Sequence, residues 1–236
     1  MLDFGGIVTR LTVPDRHGKS DNIVLAFDDF DDYKDNKPYF GALIGPVAGR
    51  IENASFTVCG KQIKLKPNEG LHELHGGEAG YHQKLWKVEP FQTATEVGVV
   101  LRGNWDDRFH GYPGSVQVIV TYTLTNENEW MIAYHAITDE MTPLTLTNHT
   151  YFNLTGEVTS SVAGHHVQMK SDGYLELDQE LIPTGFIDSG NGGPFDFSRG
   201  RLIESGIGSG HKQNQIAGGG YDHTSYWKRA QAYMLV

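Results

Sequence analysis

Cysteine is nearly absent from this chain, whose 236 residues include only Cys59. One cysteine excludes an intrachain disulfide and a zinc site made of several thiolates. It is typical of a reducing compartment, so we expect a cytoplasmic protein. No apolar run approaches the roughly 18 residues of a membrane span, and residues 1–10 lack the basic and long apolar regions of a signal peptide. Neither export nor a membrane partner is expected.

Positive charge is also scarce, because 19 lysines and arginines stand against 29 aspartates and glutamates, for a net charge of −10. A surface of this sign repels nucleic acid and anionic membranes. It also disfavours polyanionic substrates and favours neutral or cationic small molecules. We therefore expect a small-molecule partner and no nucleic acid.

Helical periodicity is a third absence, since no long window carries an apolar stripe at helical spacing. The recurring period is two, which is typical of half-buried strands. The clearest apolar face consists of Val116, Val118, Val120, Tyr122 and Leu124. A turn at 126–129 makes 116–138 a predicted antiparallel hairpin, and 55–66 a second one. Further strands are predicted at 85–91 and 96–105, with a strand pair within 165–178.

Many short strands, 29 glycines and frequent turn signals favour an all-β fold over a layered α/β fold. No repeat, low-complexity tract or linker divides the chain. We therefore predict one large antiparallel β-sandwich domain over residues 1–236.

Two polar segments in the first third of the chain contain candidate ligand-binding residues. Arg50 follows Gly49 and offers a planar fork of donors, although a solvated edge arginine would fit this pattern too. The segment 71–77, LHELHGG, carries His72 and His75 around a glutamate. The spacing is one residue short of the zincin helix pattern, and the glycines disfavour a helix. His75 is the better pocket candidate, because the backbone can approach a ligand closely at the glycines that follow it.

The segment 145–156, TLTNHTYFNLTG, places a histidine inside a strand-like run. Alternation separates two faces. One face carries Leu144, Leu146, Asn148, Thr150 and Phe152, and the other carries Thr145, Thr147, His149 and Tyr151. The second face is either a solvent-facing threonine-rich surface or the floor of a sugar site, where hydroxyl partners and an aromatic ring belong together.

The segment 218–223, GGGYDH, presents Asp222 after three glycines. An acid there is either a turn residue or a ligand-binding group.

These segments, together with GALIGPVAGRI, LIPTG and PFDF, occur in an order and spacing that resemble the aldose 1-epimerases, also called galactose mutarotases. The similarity runs from about Asp3 to about His223. It implies the large antiparallel sandwich of that family, expected to be incomplete here. It also implies interconversion of the α and β anomers of an aldohexose such as galactose or glucose, without a metal or an organic cofactor, by a monomer or weak homodimer.

The resemblance also implies roles for individual residues. Ring opening needs an acid at the ring oxygen and a base at the anomeric hydroxyl. His149 matches the family's general acid, a role that suits an imidazole with its ordinary pKa near 6.5. His75 matches a second catalytic histidine near the ring oxygen. Arg50 and Asp222 match residues that hold sugar hydroxyls, and Tyr151 lies on the same face as the acid.

The sequence departs from the family pattern at three places. Gly49 replaces the usual asparagine before Arg50. The family's base is a glutamate beyond the position of Asp222, and no glutamate follows Asp222 here, so we expect this chain to be catalytically impaired. We also expect the start to be clipped, because in the family residues like 2–11 form a second strand.

Three alternatives stay open. A non-catalytic carbohydrate-binding or sugar-sensing module on the same sandwich would bind sugar without turnover. An epimerase acting on hexose 6-phosphates is disfavoured by the acidic net charge. A metallohydrolase would use His72, His75 and His149, and its activity would be lost to chelators.

Residues 224–236 form an atypical tail that shows no strand alternation. The codons that encode Ser225 to Leu235, read one base earlier, are compatible with a strand and turn. We therefore expect that the tail reflects a frameshift in the coding sequence. Reading the DNA tests this hypothesis, and it is wrong if no one-base change restores a family-like continuation.

Overall fold

The computed structural model describes residues 1–106 and 110–227. The chain divides into two compact units, Met1–Val158 and Thr159–Val236. Strands dominate both units, which confirms the predicted all-β class. The single domain over residues 1–236 stays a prediction.

The first unit is built from short strands around one long sheet. Its strands are β1 (Thr12–Pro14), β2 (Ser20–Asn22), β3 (Leu43–Ile44), β4 (Arg50–Ile51), β5 (Ser55–Val58), β6 (Lys61–Lys64), β7 (Glu73–Leu74), β8 (Lys87–Gln92), β9 (Glu96–Asp106), β10 (Ser115–Thr125), β11 (Trp130–Thr138) and β12 (Thr147–Asn148). Short 3-10 segments lie at Phe30–Lys34, Glu52–Ala54, Gly77–Ala79 and Tyr81–Gln83.

The long sheet has the order β11-β10-β9-β8 and is antiparallel throughout. It contains the predicted hairpin of 116–138 and the two strands predicted at 85–91 and 96–105. Val116, Val118, Val120 and Tyr122 on β10 all point into the core, as their spacing predicts. Leu124 is 43% exposed, because it is the next-to-last residue of the strand, close to the turn.

Four two-stranded pairs surround this sheet: β1–β2, β3–β12, β4–β7 and β5–β6. The β5–β6 pair confirms the hairpin predicted over 55–66. Its turn has left-handed backbone at both Cys59 (φ 49°) and Gly60 (φ 74°), the combination that tight hairpins require. Leu43 of β3 packs into the core of the long sheet, and Ile44 packs into a second cluster with Ile7 and Tyr33.

The second unit contains β13 (His166–Val167), β14 (Gly173–Leu177), β15 (Pro183–Asp188), β16 (Arg201–Leu202), β17 (Ser225–Tyr226), the helix α1 (Lys212–Ile216) and a 3-10 segment at Ile203–Ser205. The prediction that two strands within 165–178 pair with each other is wrong. The strand β13 pairs with β16, whereas β14 lies between β15 and β17. In the part of the chain that the structure describes, no helix is long and apolar enough to cross a membrane.

The strand β17 lies at the start of the predicted atypical tail. Gly173 and Tyr174 of β14 pair with Tyr226 and Ser225, so these two tail residues form a short strand although the tail sequence does not alternate. Residues 228–236 lie outside the described residues, so the structure does not test the tail prediction there.

A buried carboxyl group supports the turn that follows β7. Glu73 is 2% exposed, and both of its carboxyl oxygens lie 3.0 Å from the Tyr112 hydroxyl, which donates to them. The backbone N–H of Gly76 donates to the same carboxyl group. Burial raises the pKa of Glu73 to about 7 and outweighs both hydrogen bonds, which favour the charged form.

Replacing Glu73 with Gln removes this titration and should change how stability depends on pH. A raised folded-state pKa stabilises the fold fully below the unfolded value of 4.5 and progressively less as the pH rises through about 7. We expect wild type to lose about 3 kcal/mol of unfolding free energy relative to Glu73→Gln between pH 4.5 and 7.5, at 1.36 kcal/mol per pKa unit. Urea unfolding across this range measures the difference. Parallel pH curves for the two proteins would contradict it.

Candidate active site

The short strand β12 holds His149, the predicted general acid, in position. Thr147 pairs with Ile44 and Asn148 pairs with Leu43. Beyond the strand, the His149 N–H donates to the Ala42 carbonyl at 2.8 Å, and its carbonyl accepts from the Gly41 N–H at 3.0 Å. The backbone of His149 is therefore held on both sides by the segment that leads into β3.

The two predicted faces of this segment point in different directions. Leu144 and Leu146 pack against the core of the long sheet. The Asn148 side chain donates to the Gly41 carbonyl at 2.8 Å and to the Tyr122 hydroxyl at 3.0 Å. On the other face, the rings of His149 and Tyr151 are in contact, with centroids 4.9 Å apart. Asn148 thus connects the segment to the core, while His149 and Tyr151 lie together.

His75 enters the same cluster from the turn after β7. Its ring centroid lies 5.2 Å from that of His149, and the two rings are nearly perpendicular, at 82°. The turn is left-handed at three successive residues: His75 (φ 58°), Gly76 (φ 84°) and Gly77 (φ 66°). A Cβ atom at Gly76 would lie only 2.1 Å from the Gly45 carbonyl oxygen, so only glycine fits at that position.

Gly49 fixes the orientation of the His75 ring. The Gly49 N–H donates to His75 Nδ1 at 3.0 Å, and the Gly49 carbonyl accepts from the His75 N–H at 3.0 Å. Burial first, and then the positive charges of His149, Arg50 and His82, lower the pKa of His75 to about 3. Because Nδ1 accepts a hydrogen bond, the neutral ring carries its proton on Nε2. At neutral pH, His75 is therefore an uncharged hydrogen-bond donor.

Arg50 lies one residue beyond Gly49, on β4, and pairs with Leu74, the residue before His75. Its Nε and Nη2 groups donate to the two carboxylate oxygens of Glu69, with the second bond at 2.9 Å. The Arg50 side chain is only 16% exposed. A guanidinium has five N–H donors, so three remain for other partners after two bind Glu69.

Two residues of this cluster were not predicted from the sequence. Glu69 orients Arg50, and Tyr39 places its ring against His75, with centroids 4.8 Å apart. Both lie in turns, where no strand alternation marks a face. The order of the chain alone gives no signal that either residue is close to the histidines.

His72 lies outside the cluster. It is buried, and its Nδ1 atom accepts from the Asn53 N–H at 3.1 Å. Within residues 1–106 and 110–227, no group of three or more histidine, cysteine, aspartate or glutamate side chains is arranged to hold a metal ion. The metal alternative, which needs His72, His75 and His149, has no geometric support in this range.

Asp222 belongs to the second unit, whereas the other four predicted residues belong to the first. Asp222 is exposed, and its N–H contacts His223 Nδ1 at 3.4 Å. His223 Nε2 in turn lies 2.7 Å from Oε1 of the buried Gln213. The structure therefore brings together Arg50, His75, His149 and Tyr151, and it holds Asp222 within its own unit.

Known proteins are similar to this chain in both sequence and fold. A family model described as aldose 1-epimerase matches residues 1–235. The galactose mutarotase of Bos taurus is 39% identical over 199 residues, which is 84% of this chain and 57% of that protein. The galactose mutarotase of Sus scrofa is 36% identical over 231 residues, or 98% of this chain and 64% of that protein.

A solved structure of galactose 1-epimerase from Lactobacillus acidophilus superposes with a TM-score of 0.85 at 26% identity, covering 98% of this chain and 66% of that one. This chain thus spans 57% to 64% of the length of the two mammalian relatives. The family match extends over nearly every residue and includes all five predicted site residues. The chain belongs to the aldose 1-epimerase family.

Proposed function

We propose that this chain binds an aldohexose, such as galactose or glucose, at the cluster of Arg50, His75, His149 and Tyr151, and that this site is built for interconversion of the sugar's anomers. The observation that carries the proposal is the nearly perpendicular pair of imidazoles, with centroids 5.2 Å apart, one of which is held neutral. Family membership supports it. The single cysteine fits the cytoplasm as the proposed location.

The reaction needs a proton donor and a proton acceptor on one sugar. His149 donates a proton to the ring oxygen while a base takes the proton of the anomeric hydroxyl, so the bond from C1 to the ring oxygen breaks and an aldehyde forms. Rotation about the C1–C2 bond exposes the other carbonyl face. The reverse proton transfers then close the ring as the other anomer.

His75 has a different task from His149 in this mechanism. Because its pKa is lowered to about 3, it does not take up a proton near neutral pH. Its Nε2–H is instead available as a fixed donor to a sugar oxygen, which stabilises charge that develops there without proton transfer. The bond from Gly49 keeps this donor aimed in one direction.

The other predicted residues position the sugar. Arg50 has three donors left for hydroxyl groups and is held by Glu69. The Tyr151 ring beside His149 supplies an apolar surface for a sugar CH face. Asp222 is proposed to accept a hydrogen bond from a sugar hydroxyl, because its exposed carboxylate is a charged acceptor.

We further propose that the 236-residue chain by itself is a slow enzyme. The last glutamate in the sequence is Glu204, which precedes Asp222, so none matches the family's base. The same observation favours the second candidate, a sugar-binding module without turnover. The two candidates differ in one property: only the slow enzyme accelerates mutarotation above the uncatalysed rate.

Polarimetry of freshly dissolved α-D-glucose tests these proposals. We expect the chain to act about a hundredfold to ten-thousandfold more slowly than the Sus scrofa galactose mutarotase assayed beside it, because a positioned base contributes about that much. Equal rates would show that a base is present. No rate above the uncatalysed reaction would favour the binding module.

Replacing His149 with Gln should remove the remaining activity, because an amide does not transfer protons near neutral pH. The same substitution at His135, which is exposed on β11, is the matched control and should leave the rate unchanged. Polarimetry again measures both variants. A binding module predicts that galactose binding is saturable and unaffected by His149→Gln.

Replacing Arg50 with Lys should weaken galactose binding at least about tenfold, because the ammonium group does not reproduce the guanidinium fork and a hydrogen bond from a charged donor is lost. Arg102→Lys is the matched control, since Arg102 forms an exposed ion pair with Glu89 on the long sheet. Calorimetric titration with galactose measures both. Equal affinities for the two variants would remove Arg50 from the proposed site.

A further inference from the structure

Tyr39 adopts a backbone conformation that is rare for an aromatic residue. Its φ angle is 59°, in the left-handed region that favours glycine and asparagine. The residue lies in a turn just before β3, where its N–H donates to the Asn36 carbonyl at 2.8 Å and its carbonyl accepts from the Ala42 N–H at 3.1 Å. Glycine would adopt this turn at lower cost, so the turn's backbone does not explain the tyrosine.

The buried side chain of Asn36 holds this unfavourable turn in place. Asn36 is 4% exposed, and its Oδ1 atom accepts from the Phe40 N–H at 2.8 Å. Its Nδ2 group donates to the Phe40 carbonyl at 3.2 Å. The amide thus binds both backbone groups of the residue after Tyr39, which is the kind of surrounding constraint that maintains a strained residue.

The conformation directs the Tyr39 ring into a group of three imidazoles. The ring meets His75 edge to face at 4.8 Å and His82 edge to face at 4.9 Å. It lies tilted against His149 at 5.8 Å. Tyr39 is therefore a single side chain in contact with both members of the proposed catalytic pair.

The Tyr39 ring packs against an imidazole whose charging is opposed mainly by loss of water. Desolvation is the largest cause of the lowered pKa of His75, ahead of the charges of His149, Arg50 and His82 that face it. Burial likewise raises the pKa of Tyr39 itself, with smaller contributions from Glu69 and Glu73, which raise it, and from Arg50, which lowers it. At neutral pH, an uncharged phenol therefore lies beside an uncharged imidazole.

We propose that Tyr39 is a positioning residue of the site, whose ring excludes water from His75 and holds the His75 and His149 imidazoles in their perpendicular arrangement. The importance of this role for turnover rests on the function proposed above. The role in keeping His75 neutral does not, because it concerns the free protein.

NMR titration of the histidine side chains tests the proposal without any ligand. We expect Tyr39→Gly to raise the pKa of His75 by at least about one unit, since a desolvated group recovers water when its cover is removed. Tyr39→Asn should do the same and is the second variant if the first fails to fold, because asparagine also tolerates left-handed backbone. Tyr39→Phe keeps the ring and should restore the low pKa of His75.

Asn128→Gly is the matched control for the backbone change. Asn128 also has a left-handed φ angle, 62°, but it is exposed in the turn between β10 and β11. This variant should leave the His75 titration unchanged. A His75 pKa that stays low in both Tyr39→Gly and Tyr39→Asn would overturn the proposal, and so would an equal rise in Tyr39→Phe.

Polarimetry on the same variants separates the two proposals. With α-D-glucose, we expect Tyr39→Gly to lower kcat more than it changes KM, and Tyr39→Phe to recover most of the loss. If the wild-type chain shows no mutarotation, the proposed catalytic function is contradicted but the role of Tyr39 is not. The His75 titration still decides the role of Tyr39. A raised His75 pKa with an unchanged kcat would overturn the positioning role.

Discussion

The cost of charging an imidazole that is both removed from water and close to a second imidazole is the constraint on which this site depends. His75 and His149 lie with their centroids 5.2 Å apart in a half-buried cluster, where two positive charges would repel each other. Burial penalises the His75 cation most, and Arg50 adds a permanent positive charge nearby. His75 is therefore neutral, and the Gly49 N–H determines which of its nitrogens carries the proton. This leaves the proton-transfer role proposed here to the other imidazole.

Strands of only two residues hold this pair in place, and their side chains are anchored in the core of the first unit. Leu43 on β3 belongs to the core of the long sheet. Asn148 on β12 is bonded to the hydroxyl of Tyr122, which is itself buried on β10. On the other side, the Glu73 carboxyl group accepts a hydrogen bond from the Gly76 N–H and so supports the turn that carries His75. Each of the two histidines thus lies one or two residues from a side chain that is hydrogen-bonded to a buried tyrosine.

Local patterns in the sequence predicted the parts of the fold that depend on neighbours along the chain. The hairpins of 55–66 and 116–138 have tight or short connections, so the period of two and the turn residues suffice to pair them. The pairing within 165–178 was wrong, because β13 and β14 find partners at β16 and β15 instead. Alternation marks a strand, but it does not identify a partner that lies farther along the chain.

The sequence by itself determined that His149 and Tyr151 share a face, because side chains two residues apart in extended backbone point the same way. Only the tertiary structure decided that Tyr39 and His75 meet His149, since those contacts join turns that are distant in the chain. It also decided the charge of His75. A pKa depends on burial and on neighbouring charges, and both arise only when those distant segments pack together.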